Sequence, residues 1–347
     1  MSDPKTVSEV LRQNIQCYSG EPDEIQYVKF AIQLSYLLPF GLLYISFLIK
    51  IARKKKDRDL FEDSFFSLQL ADGIITLFFL VSDTVFIRLT SYVRPVCEIF
   101  VSLLKDPSYI LTPYLTLHQY VQLAKMLSTV AMSLNRYTSI VNPVHHKTFW
   151  TQHCTKILIA VFTIPLLFVW PVAIGTTSFT PFGGTAIINY ERVVPWARTT
   201  YVRLIVAVPS FCFTLYSSIV TSSKLRKLGG HMKKVEFSMN MATLFTACGF
   251  ILVVAVQIAY LADSASNWVE NMWLTKIILA ATQVSYDFYM LSGPVVLLIL
   301  DKRMRSSIIC CSRKSRKLAR KSGSKNTTTV VAVQPLPTIT NHSGHSS

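Results

Sequence analysis

The chain has 347 residues, of which 51% are hydrophobic and 16% charged, with a formal net charge of +16. Its apolar residues come in blocks of about 20, the length that crosses about 30 Å of hydrocarbon as a helix; a soluble core would break them into shorter amphipathic pieces. The basic residues lie between and after these blocks rather than on one soluble face, which argues against nucleic acid as a partner and for membrane topology.

Residues 1–24 carry Asp3, Glu9, Glu21, Asp23 and Glu24 and have no apolar h-region. No cleavable signal peptide is therefore expected, and the first span acts as its own targeting signal. The first predicted span, Ile25–Ile51, runs into "KIARKKKDRD", which holds six Lys and Arg. The second, Ser64–Ile87, carries Asp72 and Asp83. A loop from Arg88 to Leu111 follows, with three basic residues and Cys97.

The third span, Thr112–Val141, is weakly apolar because it carries His118, Gln119, Gln122 and Lys125. A buried polar stripe is tolerated in a helix enclosed by its neighbours. Stepping back from Arg136 by threes and fours gives Ser133, Thr129, Lys125, Gln122 and His118. That spacing puts all six on one face, about 27 Å long at 1.5 Å per residue. The stripe must face the bundle interior, as a structural seam, a functional line, or both.

The fourth span, Cys154–Thr176, contains Pro165, Trp170 and Pro171, which read as a kink and packing. The fifth is Thr200–Ser223 and the sixth Phe237–Ala262, with Gln257 and Tyr260. The seventh, Met272–Leu300, carries Gln283, Tyr286 and Asp287. Residues 301–347 form a basic, Ser/Thr-rich tail, expected to be largely disordered beyond a short membrane-lying helix. The expected fold is thus an all-α seven-transmembrane helix bundle over residues 25–300.

Orientation follows from Lys and Arg, which concentrate on the cytosolic side. One set of linkers and the tail holds twenty-four, the other set seven. The N-terminus is predicted outside and the tail in the cytosol. The sequons at Asn326 and Asn341 then lie on the cytosolic side, where no glycosylation occurs. Cys17 and Cys97 are the two cysteines predicted outside, and they are expected to pair, stapling the N-terminal segment over the loop that follows the second span. Cys154, Cys212 and Cys248 read as packing residues. Cys310 and Cys311 sit where reversible palmitoylation occurs, though two plain surface cysteines fit the same position.

Ionisable residues inside spans mark a functional site or a buried pair. Aligned polar groups high in the third, sixth and seventh spans, namely His118, Gln119, Gln122, Gln257, Tyr260, Gln283 and Tyr286, are the candidate ligand contacts, and they suit a small organic molecule. A transporter or ligand-gated channel is the alternative, but no internal repeat or pair of broken helices supports it. No H-E-x-x-H or G-x-S-x-G element is present, so an enzyme is not expected, nor is any cofactor or metal.

The pattern N-R-Y-x-x-I-x-x-P at Asn135, Arg136, Tyr137, Ile140 and Pro143 resembles the D-R-Y-x-x-I-x-x-P end of the third helix in rhodopsin-like G-protein-coupled receptors. "SLQLADGIITL" around Asp72 is similar to their second-helix L-x-x-x-D. More closely, "LNRYTSIVNPVHHKTFW" together with "LSGPVVLLILDKRMR" resembles the nematode serpentine chemoreceptors of the Srg superfamily. The resemblance implies a multi-pass receptor in the plasma membrane, expected in sensory neurons, that binds an outside ligand of odorant or pheromone class and activates a heterotrimeric G protein. Arg136 would then contact the G protein, with Tyr137 beside it and Pro143 on the docking surface.

Three departures from the rhodopsin-like pattern matter. Asn135 replaces the acid that would hold Arg136, Gly293 and Pro294 are not followed by the usual tyrosine, and the cysteine at the outer end of the third span is missing. The resemblance further implies a sodium site beside Asp72, at the level of Lys125. The Lys125 ammonium is expected to replace that ion by pairing with Asp72 or, as second choice, Asp287, forming an intramembrane polar switch.

Overall fold

The computed structural model describes residue 17 and residues 22–54, 64–103, 107–182, 185–191, 193–195, 197–227, 232–265 and 272–300. Most of the 1–24 segment, the 301–347 tail, Cys310, Cys311 and both sequons lie outside the described residues.

Helix α1 spans Asp23–Lys54 and begins with two acids, Asp23 and Glu24, which suit the positive end of a helix dipole. Helix α2 spans Ser64–Ser82 and continues through a π-helical stretch, Asp83–Arg88, to a last turn at Leu89–Tyr92. A short amphipathic helix, α3 (Arg94–Leu103), follows. Then come α4 (Thr112–Val141), α5 (Pro143–Thr163), α6 (Leu166–Ala173), α7 (Thr199–Lys227), α8 (Met232–Ala265) and α9 (Met272–Leu300). Among the described residues, five rods are long and apolar enough to cross a membrane by length and composition: those at Asp23–Ile49, Ser64–Tyr92, Pro143–Ala173, Thr199–Arg226 and Asn240–Ala262.

Several sequence expectations need correction. The second rod does not end at Ile87 but runs on to Tyr92, so Arg88 belongs to a helix and not to a loop. The stretch before the predicted fourth span is helical too. Pro143 begins α5 directly after Asn142, which caps α4, because a proline at the first helical position gives up no hydrogen bond. The rod then breaks around Pro165 and stops at Ala173 rather than Thr176. Trp170 is about half exposed, so it is no core packing residue. Nor is the fold wholly α-helical. Thr177–Phe182 (β1) and Thr185–Tyr190 (β2) pair antiparallel, from Thr177 opposite Tyr190 to Phe182 opposite Thr185. Ser108 and Thr177 exchange backbone hydrogen bonds of 3.0 and 2.8 Å, which tie the hairpin to the segment before α4.

Helix α4 is the centre of the bundle and packs against α2, α5, α6 and α7. Its polar residues are buried while apolar side chains such as Leu42, Val81, Leu167 and Val284 are exposed on the outside of other rods. This inversion is the arrangement expected where hydrocarbon surrounds the bundle. Gly249 on α8 lies so near α9 that a Cβ there would stand 2.9 Å from the Tyr289 Cα. Its small size therefore sets the close approach of these two helices.

Candidate functional site

The buried polar residues form three layers along α4, described from the end that carries Arg136 to the end that carries the hairpin. At the first, the Asn135 amide donates to Ser64 Oγ at 2.7 Å, joining α4 to the start of α2. The Arg136 guanidinium lies 3.8 Å from the ring centroid of the adjacent Phe65, a cation–π contact. Both Asn135 and Arg136 are buried. Tyr137 faces Tyr216 on α7, with ring centroids 6.2 Å apart. Ile140 is half-buried and Pro143 exposed. Trp150 on α5 is buried and donates from Nε1 to Thr138 Oγ1 at 2.8 Å, clamping α5 to the last turns of α4.

The middle layer centres on Lys125. Its ammonium donates to Asp72 Oδ2 at 2.7 Å and to Thr76 Oγ1 at 3.0 Å. Ser128 donates to the other carboxylate oxygen at 3.0 Å, and Tyr44 on α1 reaches Oδ2 at 3.3 Å. The Tyr289 hydroxyl on α9 lies 2.9 Å from Thr129 Oγ1. Four rods therefore meet at one ion pair. Between it and Arg136 lies a cavity of about 30 Å³, room for a water molecule, lined in part by Phe65, Gln69, Ser133 and Thr246. Ser133 Oγ is buried beside it without a hydrogen-bond partner among the described residues.

Asp287 does not join this pair. The Arg88 guanidinium holds its carboxylate bidentately at 2.5 and 3.0 Å, and Tyr36 donates to it at 2.5 Å. Arg88 also donates from Nε to Asp83 Oδ2 at 2.5 Å. In an α-helix, positions five apart point about 140° away from each other. The π-helical stretch closes i→i+5 hydrogen bonds and so swings Arg88 round toward the side of Asp83. Gln33, Tyr92 and Gln283 extend the network through bonds of 2.8 to 3.2 Å. The grouping of Asp287 with Asp72 and Lys125 expected from sequence thus separates into two clusters. Arg88, assigned to a loop, is what sequence reasoning missed.

Of the remaining candidate ligand contacts, His118 and Tyr286 meet at Phe79 toward the hairpin end, with Gln122 beside His118 and Gln119 held by α7. Phe79 stacks on His118 at 5.3 Å and on Tyr286 at 5.8 Å. The Gln122 amide nitrogen and His118 Nε2 are 2.9 Å apart. Gln119 accepts from Arg203 Nε on α7 at 2.7 Å. Gln257 is buried and Tyr260 half-buried on α8, whereas Gln283 belongs to the Arg88 network. The structure also joins Cys17 to Cys97, which ties the segment before α1 to α3. Cys154 packs against the main core, but Cys212 and Cys248 are exposed. Among the described residues no group of three His, Cys, Asp or Glu is placed to hold a metal ion.

The profile of the Srg family chemoreceptor matches residues 30–308. The chain is 26% identical to serpentine receptor class gamma-13 of Caenorhabditis elegans over 298 residues, covering 85% of this chain and 87% of that protein. It is 24% identical to serpentine receptor class gamma-20 of the same organism, over 81% of this chain and 80% of that one. Serpentine receptor class gamma-14, also from C. elegans, is 24% identical, with coverage of 88% and 91%.

Proposed function

The chain belongs to the Srg family of chemoreceptors, and on that premise we propose that it is a plasma-membrane receptor that turns binding of an extracellular small molecule into activation of a heterotrimeric G protein. The polypeptide crosses the membrane seven times, with the hairpin end outside and the Arg136 end in the cytosol. The charge bias of the linkers supports this direction, because the Lys/Arg-rich segments flank the Arg136 end.

The observation that carries the proposal is the continuous burial of the α4 polar face, with His118, Gln122, Lys125, Thr129, Ser133 and Arg136 all buried. Such a face is costly in a membrane unless each group meets a partner on a neighbouring helix. Here Lys125 meets Asp72 on α2 beside Tyr44 of α1, Thr129 meets Tyr289 on α9, and Arg136 faces Phe65 on α2, so a displacement of any of these rods alters the line. Ligand at the hairpin end and G protein at Arg136 would then bias the same packed element. Asn135, Tyr137, Ile140 and Pro143 complete the G-protein-facing surface, and the Lys125–Asp72 pair is the switch between the two ends.

Expressing the receptor in one cell system and measuring both ligand-evoked G-protein activation and ligand-evoked current tests this function. Activation that Arg136→Ala removes, with no current in either variant, is the expected outcome. A current that survives Arg136→Ala would make it a channel.

A further inference from the structure

We propose that Arg203 anchors an acidic ligand: a small molecule whose carboxylate is bound at the hairpin end of the bundle by Arg203, His118 and Tyr286. The inference deepens the receptor function proposed above and rests on it for the existence of a ligand.

Two of the interior cations are already neutralised, Lys125 by Asp72 and Arg88 by Asp83 and Asp287. Arg203 is not. It is half-buried on α7, and among the described residues no carboxylate lies within ion-pair distance of it. Its hydrogen bond runs from Nε to the neutral amide oxygen of Gln119 at 2.7 Å. The fork of the guanidinium, the part whose geometry matches a carboxylate, is left without a charged acceptor.

The neighbours of Arg203 point to the same chemistry. Arg203 bonds Gln119, the chain neighbour of His118, and His118 and Tyr286 stack on the same Phe79 ring, so the three belong to one cluster. Gln122 approaches His118 Nε2 through its amide nitrogen, which makes that ring nitrogen the acceptor and puts the ring proton on Nδ1. The buried Nδ1–H has no hydrogen-bond partner among the described residues. The Tyr286 hydroxyl faces Arg203 but makes no hydrogen bond of ordinary geometry among the described residues. Both side chains are more than nine-tenths buried. Buried donors are nearly always satisfied, so two orphans beside a cation without a counter-charge define a place for an anionic acceptor. Gln122 Oε1, also without a partner, adds one acceptor for a hydroxyl on the same ligand.

The open space beside Gln119 is only about 10 Å³, so the headgroup enters by displacing the Gln119 amide that now stands in for it. This gives a specific test. Gln119→Glu supplies Arg203 with a permanent carboxylate and should block an acidic ligand while preserving the fold, whereas Arg203→Gln removes the anchor.

The full-length receptor in lipid nanodiscs is titrated with medium-chain carboxylates, their methyl esters and the matched primary amines, and thermal stabilisation is read for wild type, Gln119→Glu and Arg203→Gln. At least one carboxylate should stabilise the wild type while its ester binds about ten- to a hundredfold more weakly. Both variants should lose that preference. The inference is overturned by equal stabilisation with ester and acid, by carboxylate binding that survives in both variants, or by no stabilisation from any carboxylate. Stabilisation by amines alone overturns it too, and assigns the site to the Asp83 and Asp287 carboxylates. The readout needs no G protein: carboxylate binding without G-protein activation would sink the receptor function and leave the anchor standing.

Discussion

Lys125 Nζ lies 2.7 Å from Asp72 Oδ2, and neither side chain is more than 2% exposed. A buried ammonium and a buried carboxylate are each expensive, and direct contact with supporting hydroxyls is what makes the pair tolerable. Thr76, Ser128 and Tyr44 provide those hydroxyl contacts from α2, α4 and α1.

Removing one partner should therefore cost more than removing both. Lys125→Met and Asp72→Asn are each expected to lower stability by about 3–5 kcal/mol, since an uncompensated buried group remains. The double variant should recover at least about 1.5 kcal/mol of that loss. Thermal unfolding of the four proteins in detergent, read as a double-mutant cycle, gives the coupling directly. Additive losses would show that the contact contributes nothing as a pair.

The Arg88 cluster carries two carboxylates on one guanidinium, so its residues are not equivalent. Arg88→Met strands Asp83 and Asp287 together in the interior and should reduce surface expression severely, by about 3–5 kcal/mol in stability. Asp83→Asn leaves the bidentate Asp287 contact in place and should be milder. Adding Asp83→Asn and Asp287→Asn to Arg88→Met is expected to restore part of the expression. Flow cytometry of surface-tagged receptor checks the order, and a single Asp83→Asn as damaging as Arg88→Met would contradict the geometry.

The long apolar blocks mark the rods well because burial in hydrocarbon demands an unbroken helical ladder, and α4 and α9 have the bounds expected from sequence. That Lys125 needs an acidic partner was foreseeable too, and the resemblance, with its ion site beside the second-span aspartate, favoured Asp72 over Asp287. Arg88 was not foreseeable. An aspartate and an arginine five apart share no α-helical face, and nothing in their spacing announces the π-helical stretch that brings them together. The polar run after Asn142 reads as a loop, yet Pro143 is a good helix start and Trp150 fastens the helix to Thr138. The hairpin did carry a signal, Gly183-Gly184 between two β-prone runs, in the stretch read only as the loop between the fourth and fifth spans. Arg203 was hidden by lying near the edge of a predicted span, where a cation commonly snorkels.

At the end of α4, Asn135 stands where the rhodopsin-like pattern has an acid, and Phe65 is the aromatic neighbour of Arg136. The ring faces Arg136, and the amide fastens the neighbouring residue to Ser64. Phe65→Ala removes a contact of about 0.5–2 kcal/mol. If the contact holds the resting state, basal nucleotide exchange on the G protein should rise a few-fold, about the population shift that energy allows. Unchanged basal exchange with normal expression would show that Phe65 only packs.

The Cys17–Cys97 bond encloses a loop with a sequence separation of 80 residues. Cys17→Ser, Cys97→Ser and the double variant should lower stability equally, by about 2–5 kcal/mol, because all three remove the same crosslink. Mass tagging of thiols before and after reduction should show two extra labels on the wild type alone. Unequal single variants would mean that one cysteine acts outside the bond.

G-protein activation, the function proposed for this chain, depends most directly on Arg136. Guanine-nucleotide exchange on a purified heterotrimer, driven by full-length receptor in nanodiscs with a stimulating small molecule, measures it. Wild type should accelerate exchange, and Arg136→Ala should abolish the acceleration while ligand-induced thermal stabilisation stays unchanged. Exchange that proceeds equally well with Arg136→Ala, at equal expression and ligand binding, would contradict the account.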